Sequence, residues 1–149
     1  TWSVALNATH TGFVLSNPIG SCKNLVPLQV SFALSVAPVA IAHVGLFGGW
    51  YAAGISTHTT PLSVYSTYMK GNGGASAAKA DAAATLTGTP LWVMPFLGGF
   101  TAGALFGTSP SIIDLGGAFI IPPGGYMGIA ALTAVIGFAG MTWEEIDID

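Results

Sequence analysis

The chain has 149 residues, of which 6% are charged and 52% are hydrophobic, whereas roughly 25% of the residues of a soluble domain are usually charged. The net charge is −3 and the cationic residues are three isolated lysines, which excludes the basic stripe needed for direct nucleic-acid binding. We expect a single domain over residues 1–149, with exposed apolar surface that contacts partners because so few charges cannot cover a lone domain.

Short strands separated by turns are predicted from the start of the chain. Residues 11–15 form the first strand, and the polar turn at 17–20 follows it. From 28 to 36 every second residue is large and apolar, and smaller or polar residues lie between. This period of two predicts a strand that is buried on one face.

The middle of the chain contains glycine-rich breaks and one helical candidate. The alternation resumes at Val39 and Ile41 and is expected to end at the glycines of 45–49. A further strand is predicted at 62–68. Residues 75–85 are rich in alanine, the best helix former, so a short helix is one interpretation and a loop the other.

Further strands are predicted in the last third of the chain. They cover 91–96 and 100–106, separated by a glycine pair, and a last strand begins at Met141. The Pro-Pro-Gly-Gly sequence at 122–125 cannot lie inside a helix and predicts a hairpin between 118–121 and 126–132.

About eight strands at this spacing indicate the fold class. We predict an all-β protein, an antiparallel β-sandwich of jelly-roll-like architecture, with one short alanine-rich helix as the open alternative. A single cysteine, Cys22, cannot form an internal disulfide. The first ten residues lack the pattern of a secretory signal, so we expect synthesis in the cytoplasm.

A membrane protein is the main alternative for so apolar a chain. Residues 124–141 are long and apolar enough to span a membrane as a helix. No lysine or arginine lies on either side to fix an orientation, which argues against membrane insertion.

Motifs for catalysis or cofactor binding are incomplete, so we predict neither an enzyme nor a cofactor. The Gly20-Ser21-Cys22-Lys23 sequence is similar to a phosphate-binding loop but lacks the glycine before the lysine and the hydroxyl residue after it. The three histidines lack metal-ligand spacing, so no metal site is predicted from them. The acidic tail leaves calcium open, since Glu145, Asp147 and Asp149 would share one face of an extended strand.

Three segments of the chain resemble small virion proteins of tailed bacteriophages. They are residues 11–26, residues 88–90, and the closing segment from 122–126 to 143–145. The resemblance implies a jelly-roll-like capsid decoration, cement or head-spike protein on the virion surface. It also implies a homotrimer seated on the major capsid protein, and a glycine at the position that Cys22 occupies here.

None of the matching residues would be catalytic, and we expect turn and strand-edge residues to form subunit contacts. The predicted interface residues are Asn17, Pro18, Gly20, Lys23, Asn24, Trp50, Tyr51, Trp143 and Glu145. Two alternatives remain open beside the virion protein. One is a membrane-inserted holin or pore-like protein, and the other is a carbohydrate-binding jelly roll that stacks sugars on Trp2, Trp50 and Trp92.

Overall fold

A computed structural model describes residues 6, 8–55, 57–65, 76–100 and 111–148 of the chain. These residues form nine β-strands. The strands are β1 (Thr9–Ser16), β2 (Lys23–Leu34), β3 (Ala42–Trp50), β4 (Thr57–Leu62), β5 (Lys79–Thr85), β6 (Leu91–Phe100), β7 (Ser111–Asp114), β8 (Gly125–Ala131) and β9 (Gly137–Asp147).

The strands form two antiparallel sheets, which confirms the predicted all-β sandwich. One sheet has the order β4-β5-β1-β8-β3-β6 and the other has the order β7-β2-β9. The pairs β1·β8, β2·β7, β3·β6 and β4·β5 are all antiparallel neighbours. Those are the pairs of an eight-strand hairpin rolled into two layers, the jelly-roll pattern. The architecture departs from it in that β5 joins β1, and a ninth strand pairs with β2.

The core between the sheets is built from the alternating residues of β2 and the facing strands. Val30 and Phe32 point inward and pack with Leu15, Val44 and Met127 of the larger sheet. Burying each large apolar side chain stabilises the fold by about 1.5–3 kcal/mol. The alternation predicted for 28–36 is correct for these inward residues.

The same alternation fails at Leu28, which is 38% exposed. The pairing of β2 with β9 passes from Pro27↔Trp143 to Gln29↔Thr142, so Leu28 is the extra residue of a β-bulge. A bulge inserts one residue into a strand and changes which residues face inward. Hydropathy alone cannot reveal it.

The central strands of the larger sheet, β1, β3 and β8, are buried on both faces. Val14, Phe47 and Tyr126 lie on its second face and pack with Ala84 and Leu86. Strand β8 is therefore buried along almost its whole length, which explains the apolar segment that also suited a spanning helix. No helix among the described residues is long and apolar enough to cross a membrane.

Glycines lie inside β3 and β8 because aromatic rings of neighbouring strands cover them. A Cβ at Gly49 would overlap the ring of Tyr126, and one at Gly128 would lie 2.5 Å from Cζ of Phe47. The prediction that glycines end the segment at 45–49 is therefore wrong. Ring and glycine fit together across the sheet.

The alanine-rich segment is a strand rather than a helix. Residues 79–85 form β5 between β4 and β1, where Ala80 and Ala84 are buried. Small side chains fit at this place, where Ala84 packs with Val14 and Phe47, so tertiary packing overrides the helix propensity of alanine. Residue 75 lies outside the described residues.

Three other predicted boundaries differ from the structure. Strand β4 ends at Leu62, where the predicted strand begins, and residues 66–68 lie outside the described part of the chain. Strand β6 continues through the glycine pair to Phe100, and 101–106 also lie outside it. Strand β9 starts at Gly137, before Met141.

The predicted hairpin around residues 122–125 is also wrong in its first half. Ile121 forms a bridge with Leu25 of β2, with reciprocal backbone hydrogen bonds of 2.8 and 3.0 Å. The chain therefore crosses from one sheet to the other at this turn before β8 begins. The short strand β7 has no counterpart among the predicted strands.

Candidate interface surfaces

The turns at one end of the sandwich are joined by backbone hydrogen bonds, and we call this surface the turn end (residues 17–24, 50–54, 121–125 and 145–147). The N–H of Asn17 donates to the carbonyl of Gly125 over 2.9 Å, and the N–H of Gly124 donates to the carbonyl of Asn17 over 2.8 Å. The N–H of Tyr51 donates to the carbonyl of Gly124 over 3.2 Å. Segments far apart in the sequence therefore form one surface.

Asn17 lies in the interior of this end, although it was predicted as an interface residue. Its side chain is 1% exposed, and Nδ2 donates to the carbonyls of Lys23 and Ile121 over 2.7 and 2.8 Å. Asparagine is suited to this place because its amide supplies two donors. The side chain connects two turns within the chain and is closed to a partner.

The other predicted residues of the turns do lie at the surface. Gly20, Trp50 and Tyr51 are exposed, and Pro18 is half-buried. Nε1 of Trp50 donates to the carbonyl of Pro123 over 2.8 Å, which fixes the indole against the turn. The fold thus brings together residues that are more than 30 positions apart in the sequence.

A small ionic cluster lies beside these turns. Nζ of Lys23 lies 3.4 Å from Oε2 of Glu145 and 3.7 Å from Oδ1 of Asp147. Glu145 also accepts hydrogen bonds from the Ser76 hydroxyl and from the N–H of Ala77. Burial opposes ionisation of Glu145, but these donors outweigh it and lower the pKa of the carboxyl.

This cluster changes two predictions about the acidic tail. Glu145 was predicted to form a subunit contact, but it pairs with a lysine of its own chain. The Lys23 ammonium lies against the two carboxylates proposed for calcium, and Asp149 lies outside the described residues. Trp143 and Asn24, also predicted for the interface, are half-buried, and Trp143 packs against the core between the sheets.

The opposite end of the sandwich has no Asp, Glu, Lys or Arg, and we call it the charge-free end (residues 35–43 and 131–138). Five large apolar side chains are exposed there: Val36 (51%), Val39 (90%), Ile41 (61%), Ile136 (66%) and Phe138 (74%). The N–H of Ser35 donates to the carbonyl of Ile136 over 3.0 Å, and the hydroxyl of Thr133 donates to the carbonyl of Ile41 over 3.2 Å.

Sequence reasoning missed the charge-free end as a site. The signal was present, since residues 24–69 and 115–143 contain no Asp, Glu, Lys or Arg. What the sequence does not show is that a loop from each stretch meets the other at one end. The pairing Leu34↔Gly137 at the end of β2 and β9 brings them together.

A histidine and a carboxylate meet on the hairpin of β4 and β5. Nδ1 of His58 lies 2.7 Å from Oδ2 of Asp81, whose side chain is fully buried. Oδ1 of Asp81 has no hydrogen-bond partner among the described residues. This contact connects the edge strand β4 to β5, and it stabilises the carboxylate of Asp81, which would be costly to bury without a partner.

Comparison with known proteins identified no relative of the chain. No model of a known family, no curated protein and no solved structure matches the chain. The two ends of the sandwich are therefore the basis for a functional proposal.

Proposed function

We propose that this chain is a non-enzymatic structural subunit of a larger protein assembly, which it joins through the charge-free end. The observation that carries the proposal is the cluster of exposed Val39, Ile136 and Phe138 on a surface without ionised groups. Large exposed apolar patches on soluble proteins usually mark protein or membrane contacts. Interfaces between permanently associated subunits are apolar and depleted in charge.

The distribution of charge favours this orientation of the subunit. Lys23, Glu145 and Asp147 lie at the turn end. Lys79 lies next to it, because its backbone is opposite that of Ser16 in the β1·β5 pair. Ionised groups are costly to bury unless they are paired. An assembly that covers the charge-free end leaves these groups in water.

The finer proposal is a capsid decoration or cement subunit, present as a homotrimer on the major capsid protein of a tailed bacteriophage. The resemblance of residues 11–26 and of the closing segment to such proteins supports it. The sandwich is also the kind of fold that the resemblance implies. In this role the chain stabilises the shell by accumulated apolar and backbone contacts and catalyses no reaction.

Mass spectrometry of purified particles of the phage that encodes the chain tests the finer proposal. We expect the chain at a constant copy number per particle and in a fixed ratio to the major capsid protein. Absence of the chain from washed particles would show that the virion role is wrong.

A binding experiment with empty capsids and the purified chain tests the surface itself. Replacing Val39 and Phe138 by serine is expected to reduce binding at least tenfold, because both apolar contacts are lost. Leu91→Ser is the matched control, since Leu91 is 66% exposed on β6 and pairs with Gly48, near the turn end. Flotation of the wild-type chain with neutral lipid vesicles, without capsid binding, would favour the membrane alternative instead.

A further inference from the structure

A cavity of about 490 Å³ opens between the sheets near the charge-free end. It is lined by residues of β1, β2, β3, β6, β8 and β9 and by the loop that connects β8 to β9. Its volume lies within the range of about 300–1,000 Å³ that is usual for sites of small molecules. Apolar side chains, including Phe32, Trp92 and Val135, share its lining with polar atoms in similar proportion, and three threonines contribute hydroxyl groups.

His10 is the polar side chain that distinguishes this cavity from an ordinary packing defect. It lines the cavity and is only 8% exposed, and its Nε2 makes no hydrogen bond of regular geometry with the described residues. The backbone carbonyl of Ile129 is the polar group that interacts with the ring. The ring is held edge-on against Phe47, with 4.7 Å between the ring centroids. Leaving such a buried nitrogen without a partner destabilises a fold unless a ligand or water satisfies it.

The space beside this nitrogen exists because residue 12 is a glycine. A Cβ at Gly12 would lie 2.8 Å from Nε2 of His10 and 3.1 Å from the carbonyl oxygen of Ile129. Gly12 also lines the cavity. The glycine therefore leaves open the approach to the histidine nitrogen that any other side chain would close.

The lining favours an uncharged ligand. None of the described residues that line the cavity is Asp, Glu, Lys or Arg. Burial lowers the pKa of His10, and the opposing effect of the Ile129 carbonyl is smaller, so the imidazole is neutral near pH 7. A neutral imidazole nitrogen is a donor in one tautomer and an acceptor in the other. A hydroxyl group satisfies either tautomer because it both donates and accepts.

We propose that this cavity binds a small, uncharged molecule that has an apolar body and at least one hydroxyl group, and that a hydroxyl bonds to Nε2 of His10. The apolar body of the ligand contacts Phe32 and Val135, and the Gly12 backbone allows the hydroxyl to approach. The argument for this site does not depend on the assembly role, although residues 131–135 line the cavity and also belong to the charge-free end.

Equilibrium dialysis of the full chain with two matched probes tests the proposal. 1-Naphthol carries the hydroxyl, and 1-methylnaphthalene has the same shape without it. We expect the naphthol to bind at least about tenfold more tightly, after correction for aqueous solubility, because a buried partner is left unsatisfied by the methyl compound. Equal binding of the two probes, or binding of neither, would overturn the proposal.

Variants locate the site. In His10→Phe we expect the preference for naphthol to disappear while methylnaphthalene still binds, and retention of the preference would contradict the role of His10. Ala139 is an exposed residue that pairs with Phe32 and lines the cavity, so Ala139→Leu should weaken both probes at least fivefold. Thr142→Leu adds a similar side chain to an exposed position of the same strand and should change neither.

The nitrogen itself gives a readout that requires no variant. We expect naphthol to shift the ¹⁵N resonance of His10 Nε2 in the wild-type chain and to leave His43 unchanged, since His43 is exposed. Naphthol that binds without moving the His10 resonance would place the hydroxyl elsewhere and refute the assignment.

Discussion

The turn end and the charge-free end are built from the two extremities of the same strands, yet they are stabilised by different interactions. At the turn end a buried amide, backbone hydrogen bonds and an ionic cluster join the segments. At the charge-free end the loops are joined by a few exposed hydrogen bonds and present apolar side chains to the outside. The groups of the turn end are paired within the chain, whereas among the described residues the apolar side chains of the charge-free end remain exposed.

This contrast separates residues that stabilise the fold from residues that are available for contact. Asn17 and Glu145 were predicted at an interface, but their side chains satisfy groups of their own chain. The side chains of Val39 and Phe138, by contrast, are 90% and 74% exposed. Substitutions at the turn end should therefore change stability, and substitutions at the charge-free end should change association.

The largest effect on stability is expected for Asn17→Ala. The substitution leaves the carbonyls of Lys23 and Ile121 without the Asn17 donor, and we expect a loss of about 2–4 kcal/mol in the free energy of unfolding. Urea denaturation measures it. Ser35→Ala is the matched control at the charge-free end, where an exposed hydrogen bond to the Ile136 carbonyl is removed, and it should cost less than about 0.5 kcal/mol.

A smaller loss is expected for Glu145→Gln, and it should depend on pH. The folded chain lowers the pKa of this carboxyl from its ordinary value of 4.5, so its contribution is present above that pH and is lost as the pH falls through the lowered pKa. Near pH 7 we expect a loss of about 1 kcal/mol, discounted for partial exposure. Glu144→Gln, at an exposed neighbour, should show no such loss.

Cys22→Gly should stabilise the chain slightly. Cys22 has a φ of +55°, a left-handed conformation that costs a residue with a Cβ roughly 1–2 kcal/mol and glycine little. The greater freedom of glycine in the unfolded chain offsets part of this gain, so we expect an increase of about 0.5–1 kcal/mol in thermal or urea unfolding. Cys22→Ala keeps the Cβ, and a similar gain in that variant would refute the explanation.

The smallest effect on stability is expected from the titration of His10 in the cavity. Burial lowers the pKa of His10 below 6.5, so the unfolded chain binds a proton at pH values where the folded chain does not. Stability should therefore decline as the pH falls below that of free histidine, well above the range in which Glu145 titrates. His10→Phe should remove this decline, and a decline that persists in the variant would assign it to another group. His43→Phe is the exposed control.

Local sequence patterns were sufficient to predict the fold class, but they did not predict how the strands pair. The alternation in β2 and the turns at 17–20 and 122–125 predict a sandwich because strand periodicity and turn chemistry are local properties. The bulge at Leu28, the glycines covered by Tyr126 and Phe47, and the alanine-rich β5 depend on neighbours distant in sequence. Propensity carries no information about those neighbours.

The candidate surfaces were predictable to a similar extent. The scarcity of charge was visible in the sequence and correctly indicated exposed apolar surface. Its location was not, because the loops at 35–41 and 132–136 meet only after β2 and β9 have paired. The His10 cavity was also missed, since it requires a glycine, a histidine and two sheets to be brought together.

The mass of the purified chain in solution, measured by light scattering at micromolar concentration, tests most directly whether the charge-free end is an interface. We expect three times the chain mass of 15.0 kDa, and a monomer that remains folded when Val39 and Phe138 are replaced by lysine. Leu91→Lys, at an exposed position near the turn end, should leave the trimer intact. A wild-type chain that stays monomeric and stable across this concentration range would contradict the proposal.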